Sequence, residues 1–227
     1  MDDTTLRTLA DRLEYLRNLD KRRQEVKHSI ENQGKLTEEL SAAIDAAATL
    51  AEVEDLYLPY KPKRRTRATM AREKGLEPLA ELLFAVGTDC PPPEETALDY
   101  IDPEKGVSTV EEALQGASDI LAEAISDDAG VRKRLRSLFW SQGVLVSRKA
   151  KEDTPDSVYR LYYDFRTPVN RALGHQVLAI NRGEREGFLK AAVELDSERA
   201  KVAVRQMVVP GRAAMAFVRA AAEDAYE

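Results

Sequence analysis

Leu6, Leu9, Leu13, Leu16 and Leu19, followed by Val26 and Ile30, recur with three-and-four spacing, so the chain opens with one apolar stripe along a helix. The stripe predicts a long helix from about Thr4 to Gln33. Asp3 or Thr4 suits its N-cap, and Gly34 suits the left-handed residue just past its end. Thr37, followed by Glu38 and Glu39, opens a second helix expected to reach about Leu56, with its acids at the positive end of the dipole. Two long helices joined by a short glycine-containing turn make an αα-hairpin. Composition agrees: aromatics at 6% and only 11 glycines argue against a β-sandwich or a glycine-rich cofactor fold. Ala, Leu, Glu and Arg, which dominate, are strong helix formers.

Helix cannot continue through Tyr57 to Ala68, because Pro59 and Pro62 remove donors and bias the preceding residues to extended geometry. A short helix from Thr69 to Lys74, ended by Gly75, and another from Pro78 to Val86, ended by Gly87, are expected next. Asp89 to Lys105, with Pro91-Pro92-Pro93 and several acids, reads as an exposed loop with room for one short helical turn. Ser108 and Glu111 form a capping-box pattern before an apolar run from Val110 to Ile125 at helical period. After Asp127-Asp128 a further helix carries Val131, Leu135, Leu138 and Phe139 inward and stops at Gly143. Val144 and Val146 mark a short strand, Leu173 to Arg182 a helix ending near Gly183, and Phe188 to Leu195 a second strand. Asp196-Ser197 caps a helix to about Arg205, and Gly211 to Glu227 forms a last one.

The expected fold class is therefore mainly α: multi-helical, with an N-terminal αα-hairpin, a candidate helix-turn-helix and a minor β element. The expected organisation is a helical region over 1–88, an acidic proline-containing linker over 89–107, and a central helical region over 108–227. The last helical pattern reaches the final residue without Gly or Pro, which reads as a fragment of a longer protein.

No stretch approaches the roughly 20 continuous apolar residues of a membrane span, and the acidic start lacks an apolar signal segment. The single Cys90 excludes an internal disulfide and a cysteine-based metal cluster, which suits a reducing cytoplasm. Phosphate-loop, dinucleotide-fold and nucleophile-elbow motifs are absent, and His28 and His175 lie far apart, so no cofactor, metal site or catalytic activity is expected.

Charge distribution carries the functional signal. The chain is −6 overall, but residues 61–74 hold Lys61, Lys63, Arg64, Arg65, Arg67, Arg72 and Lys74 against Glu73 alone, a local excess of +6. Lys and Arg neutralise backbone phosphates, and Arg adds bidentate hydrogen bonds that fix register. Tyr57 and Tyr60 just upstream are placed to stack on unpaired bases. The alternative is that these cations pair with acids of adjacent helices, such as Glu52, Glu54 and Asp55, and staple the loop down. A second basic surface joins Arg132, Lys133, Arg136 and Trp140 on one side of the helix Asp128 to Gln142, opposite Val131, Leu135 and Leu138. With the preceding helix this makes a helix-turn-helix pattern whose second helix is basic; the alternative is plain packing, with Trp140 in the core. His175, Arg182 and Arg185, alternating with Glu184 and Glu186, read as a solvated, self-paired turn.

Asp55-Leu-Tyr-Leu-Pro-Tyr-Lys-Pro-Lys-Arg-Arg-Thr66, running into Ala71-Arg-Glu-Lys-Gly-Leu-Glu-Pro-Leu79, closely resembles the bacterial Tex family of transcription accessory proteins. Ile30-Glu-Asn-Gln-Gly-Lys-Leu-Thr37, Ala117-Ser-Asp-Ile-Leu-Ala122, Leu178-Ala-Ile-Asn-Arg-Gly-Glu184 and Ala221-Ala-Glu-Asp-Ala-Tyr226 follow in the family's order. Gly174-His-Gln176 stands where the family more often shows Ser-His-Arg. The resemblance implies a protein with helical N-terminal and central regions, an RNase-H-like domain, a helix-hairpin-helix module and an OB-fold RNA-binding domain, of which this chain holds only the helical part. It also implies nucleic-acid binding without an established catalytic activity, with RNA or DNA and the transcription machinery as partners. The alternative is a structural module that docks RNA polymerase or its parent's other domains without touching nucleic acid.

Overall fold

The computed structural model describes residues 3–62, 65–85, 91–152, 158–212 and 214–226. Helix α1 (Asp3–Glu31) ends as its sequence predicts. Gly34 adopts φ +67, and the Gly34 and Lys35 N–H groups donate to the carbonyls of Glu31 and Ile30. The expected second helix is two helices, α2 (Glu38–Ala46) and α3 (Leu50–Tyr57). The break is a reciprocal cap inside an alanine-rich run: the Glu52 N–H donates to Thr49 Oγ1, and the Ala48 N–H to Glu52 Oε2. Arg23 closes the gap by donating to the Ala47 carbonyl. Splitting the arm lets Ile44 and Val53 both reach α1, where they pack with Leu19, Val26 and Ile30.

Only the C-terminal half of the α1 stripe is covered. Leu19, Val26 and Ile30 are 0–2% exposed, whereas Leu6, Leu9, Leu13 and Leu16 are 43–56% exposed. The first turns of α1 project beyond α2 and α3.

A 3-10 turn, Leu58–Tyr60, follows α3, and then α4 (Arg67–Glu73), capped by Thr66, and α5 (Glu77–Phe84). The stretch expected to be a loop is more ordered than its composition suggests. It forms α6 (Pro93–Ala97) and 3-10 turns at Leu98–Tyr100 and Pro103–Lys105, and it buries Ala97 and Val107 completely. The central element is α7 (Val110–Asp127), against which α4, α5, α6 and α11 (Met215–Asp224) pack. Its cap lies one residue later than expected: the Glu112 N–H donates to Thr109 Oγ1 and the Ser108 N–H to Glu112 Oε2. Gly116 permits the close approach of α4, since a methyl group there would overlap Leu76 and press on Ala71. The main core joins residues on both sides of segment 89–107, among them Leu76, Leu79, Leu83, Ala117, Ile120 and Val218.

Helix α8 (Ala129–Gln142) follows α7 after Asp128, which caps it, and packs on α10 (Ser197–Val208) through Leu138, Ala200 and Ala203. Strands β1 (Val144–Lys149), β2 (Asp164–Pro168) and β3 (Leu189–Glu194) form an antiparallel sheet in the order β2-β1-β3. Strand β2 has no counterpart in the sequence expectation; its few alternating residues become a strand by pairing with β1, with Ser147 opposite Phe165. Helix α9 (Gly174–Arg185) covers the sheet through Ile180 against Tyr159 and Leu189. It does not stop at Gly183. That glycine is buried against Leu189, and the helix ends before Gly187 at φ +79. The last two helices also differ at their ends, α10 running to Val208 and α11 starting at Met215.

Candidate nucleic-acid interface

The prolines place the basic segment at the edge of the hairpin. Tyr57 ends α3 with its hydroxyl 3.0 Å from Ser29 Oγ and the Arg22 guanidinium 5.5 Å from its ring centroid. Tyr60 joins the same hairpin core, and its carbonyl accepts from Gln33. Both rings are half-buried against the hairpin core. Lys61 is exposed, and Lys63 and Arg64 lie outside the described residues. Arg65, 68% exposed, meets Glu73 at 2.7 Å.

From Thr66 onward the cations reach across to other elements, although Arg67 keeps 65% of its side chain in solvent. Arg67 bridges Asp119 at 3.4 Å and Asp224 at 3.2 Å, joining α4 to α7 and α11. Arg72 reaches Glu123 at 2.6 Å and Glu77 at 3.3 Å, and Glu123 also accepts from Thr66 Oγ1. Lys74 donates to the Gly106 carbonyl. The pairing alternative therefore describes this half of the segment, though with different acids from those expected.

Glu52, Glu54 and Asp55 have other partners. Arg22 of α1 holds Glu54 at 2.6 Å. Asp55, only 4% exposed, receives Arg132 Nε on one oxygen at 2.8 Å and Arg136 Nη2 on the other at 2.7 Å. Lys133 contacts Glu52 at 2.8 Å. This hydrogen bond, with a second from the Ala48 N–H, holds the Glu52 carboxyl below its ordinary range. The basic face of α8 is thus the clasp that fastens α3, and with it the hairpin, to the body. The three cations still keep 42–71% of their side-chain surface in solvent. The α7–Asp128–α8 corner supplies a basic second helix, but α3 packs against that helix on the face a DNA groove would need.

Trp140 departs from the packing expectation: it is 62% exposed on the last turn of α8. In the third cluster, Arg182 pairs with Glu186 at 2.8 Å, and Glu186 also accepts from the Tyr159 hydroxyl. The Arg182 hydrogen bond and then the Tyr159 bond lower the Glu186 pKa, while desolvation and Glu186 raise that of Tyr159. Glu184 instead accepts from the Ala191 N–H and ties α9 to β3. His175 and Arg185 are exposed on α9. Among the described residues there is no cluster of three or more His, Cys, Asp or Glu side chains able to hold a metal ion. None of their helices is long and apolar enough to cross a membrane.

The sequence pattern described as Tex central region-like matches residues 90–225, which takes in α6 to α11 and the sheet. The chain belongs to this family. Similarity extends beyond the matched region to the hairpin and basic segment. YdcI of Bacillus subtilis (strain 168) is 39% identical over 231 residues, covering 100% of this chain and 32% of its own length. The transcriptional accessory protein Tex of Neisseria gonorrhoeae is 41% identical over 195 residues, 86% of this chain and 25% of its own length. S1 RNA-binding domain-containing protein 1 of Homo sapiens is 32% identical over 205 residues, 86% of this chain and 20% of its own length. The chain thus spans between 20% and 32% of the length of these curated relatives.

Proposed function

We propose that this chain is a non-enzymatic scaffold within a nucleic-acid-associated transcription accessory protein. The observation that carries the reading is its similarity, over 86% of the chain, to a protein named as transcriptional accessory. A relative named for an S1 RNA-binding domain supports the nucleic-acid part. The geometry favours a division of labour among the basic residues. Arg67, Arg72, Lys74, Arg132, Lys133 and Arg136 tie packed elements to one another, and the exposed Lys61 and Arg65, with Lys63 and Arg64 between them in sequence, are the loop's phosphate contacts. RNA or DNA and the transcription machinery are the partners of this reading, in the cytoplasm. Docking of protein alone remains the competing reading, favoured by the exposed Leu6–Leu16 stripe.

Titration of the chain with labelled oligonucleotides across a salt series tests the proposal. Phosphate contacts make log affinity fall linearly with log salt. The double change Lys61→Glu and Arg65→Glu is expected to weaken binding several-fold while leaving the urea midpoint unchanged. Absence of any binding at about 50 mM salt would leave protein docking as the function of this region.

A further inference from the structure

The sole tryptophan of the chain stands in water at the end of a helix that carries four cations, Arg132, Lys133, Arg134 and Arg136, and no acid. A tryptophan ring is a large apolar surface, normally buried, and exposed ones concentrate where a partner covers them. The neighbours of Trp140 on the α8 surface are Arg136 and Ser137 one turn earlier. Among the described residues, no other large apolar side chain of α8 is exposed.

We propose that Trp140 is a stacking platform for a base of single-stranded nucleic acid, on a helix whose four cations outnumber the two acids, Glu52 and Asp55, that clasp it. The inference rests on the nucleic-acid reading above and gives it a second contact, away from the basic loop. Aromatic faces accept any unpaired base, and flanking cations track the backbone. A duplex keeps its base faces covered, which makes the single strand the fitting partner. Glu52 and Asp55 neutralise part of the charge of Arg132, Lys133 and Arg136, yet a positive excess remains on α8. Arg171, exposed on the 3-10 turn Val169–Arg171 that packs on α8, adds to it.

Because Trp140 is the only tryptophan, tryptophan emission excited beyond the tyrosine absorption band reads this position alone. The chain would be titrated with unlabelled oligo(U), followed by tryptophan emission, and in parallel with end-labelled oligo(U), followed by anisotropy. Saturable quenching with the same half-point as the anisotropy change is expected. Trp140→Ala should weaken binding roughly tenfold, the effect of losing one stacked base, and Trp140→Phe should retain most of the affinity. An anisotropy change with unaltered tryptophan emission overturns the Trp140 site and leaves the wider nucleic-acid reading standing. No anisotropy change at low salt removes both. The wild-type measurement decides even if the alanine variant folds poorly.

Discussion

Helix α8 sends Arg132 and Arg136 onto one buried carboxylate, Asp55, while the loop before α4 leaves Lys61 exposed and Arg65 paired with an exposed Glu73. Both regions are dense in cations, and both are followed or flanked by acids in sequence. What separates them is the burial of the acid each meets. A carboxylate with 6% of its side chain in solvent cannot lose its partners without standing uncompensated, whereas an exposed pair is screened and nearly free to part. The lesson is that a basic run marks two different things, a clasp where tertiary structure supplies a buried acid and a contact surface where it does not.

The largest effect is expected at the clasp. Replacing Arg132 and Arg136 together by alanine should cost about 3–5 kcal/mol in urea unfolding, because Asp55 stays buried and unpaired. Adding Asp55→Leu should return much of that loss, since a buried ion cluster exchanged for apolar contact is often neutral. A loss below about 1 kcal/mol would place α8 with the loop and break the contrast.

Arg72 tests the boundary between the two behaviours, being 33% exposed and bound to a Glu123 that is 16% exposed. Arg72→Ala should cost about 1–3 kcal/mol, measured the same way, with little change in oligonucleotide affinity. Equal loss of stability and affinity would assign it to both roles.

The smallest effect is a dependence on pH. Lys133 and the Ala48 N–H hold Glu52 below the usual carboxylate range, so its folded pKa lies under the unfolded one. Its contribution is complete above the unfolded value and fades as pH falls through the lowered folded value. Between about pH 7 and about pH 3, the wild-type chain should therefore lose slightly more stability than Lys133→Ala. Equal losses in the two proteins would mean that the Glu52–Lys133 contact adds nothing to the clasp.

Much of the fold is legible locally because helix signals are local. The three-and-four spacing from Val110 to Ile125 marks α7, and Gly34 and Gly75 mark the ends of α1 and α4 by their left-handed conformations. Where two frames satisfy one rule, the sequence cannot choose: Ser108–Glu111 and Thr109–Glu112 both have cap spacing, and the folded chain uses the second. The strand β2 exists through pairing with β1, so five residues of weak alternation do not announce it. For the candidate interface, the cation-rich stretches were visible, but their partners were not. Arg132 and Asp55 are 77 residues apart, and Arg67 and Asp224 are 157 apart, distances over which spacing rules say nothing.

Helix α1 draws the same line most simply. Its sequence alone determined a long helix with one apolar face from Leu6 to Ile30, since period and caps depend only on neighbours along the chain. Tertiary structure decided that α2 and α3 cover that face from Leu19 onward and leave Leu6 to Leu16 in solvent. Tertiary structure likewise put Trp140 in water and Asp55 between two arginines. Periodicity records which side chains share a face, while the partner of that face is set by segments distant in sequence, through the burial and charge pairing they bring to it.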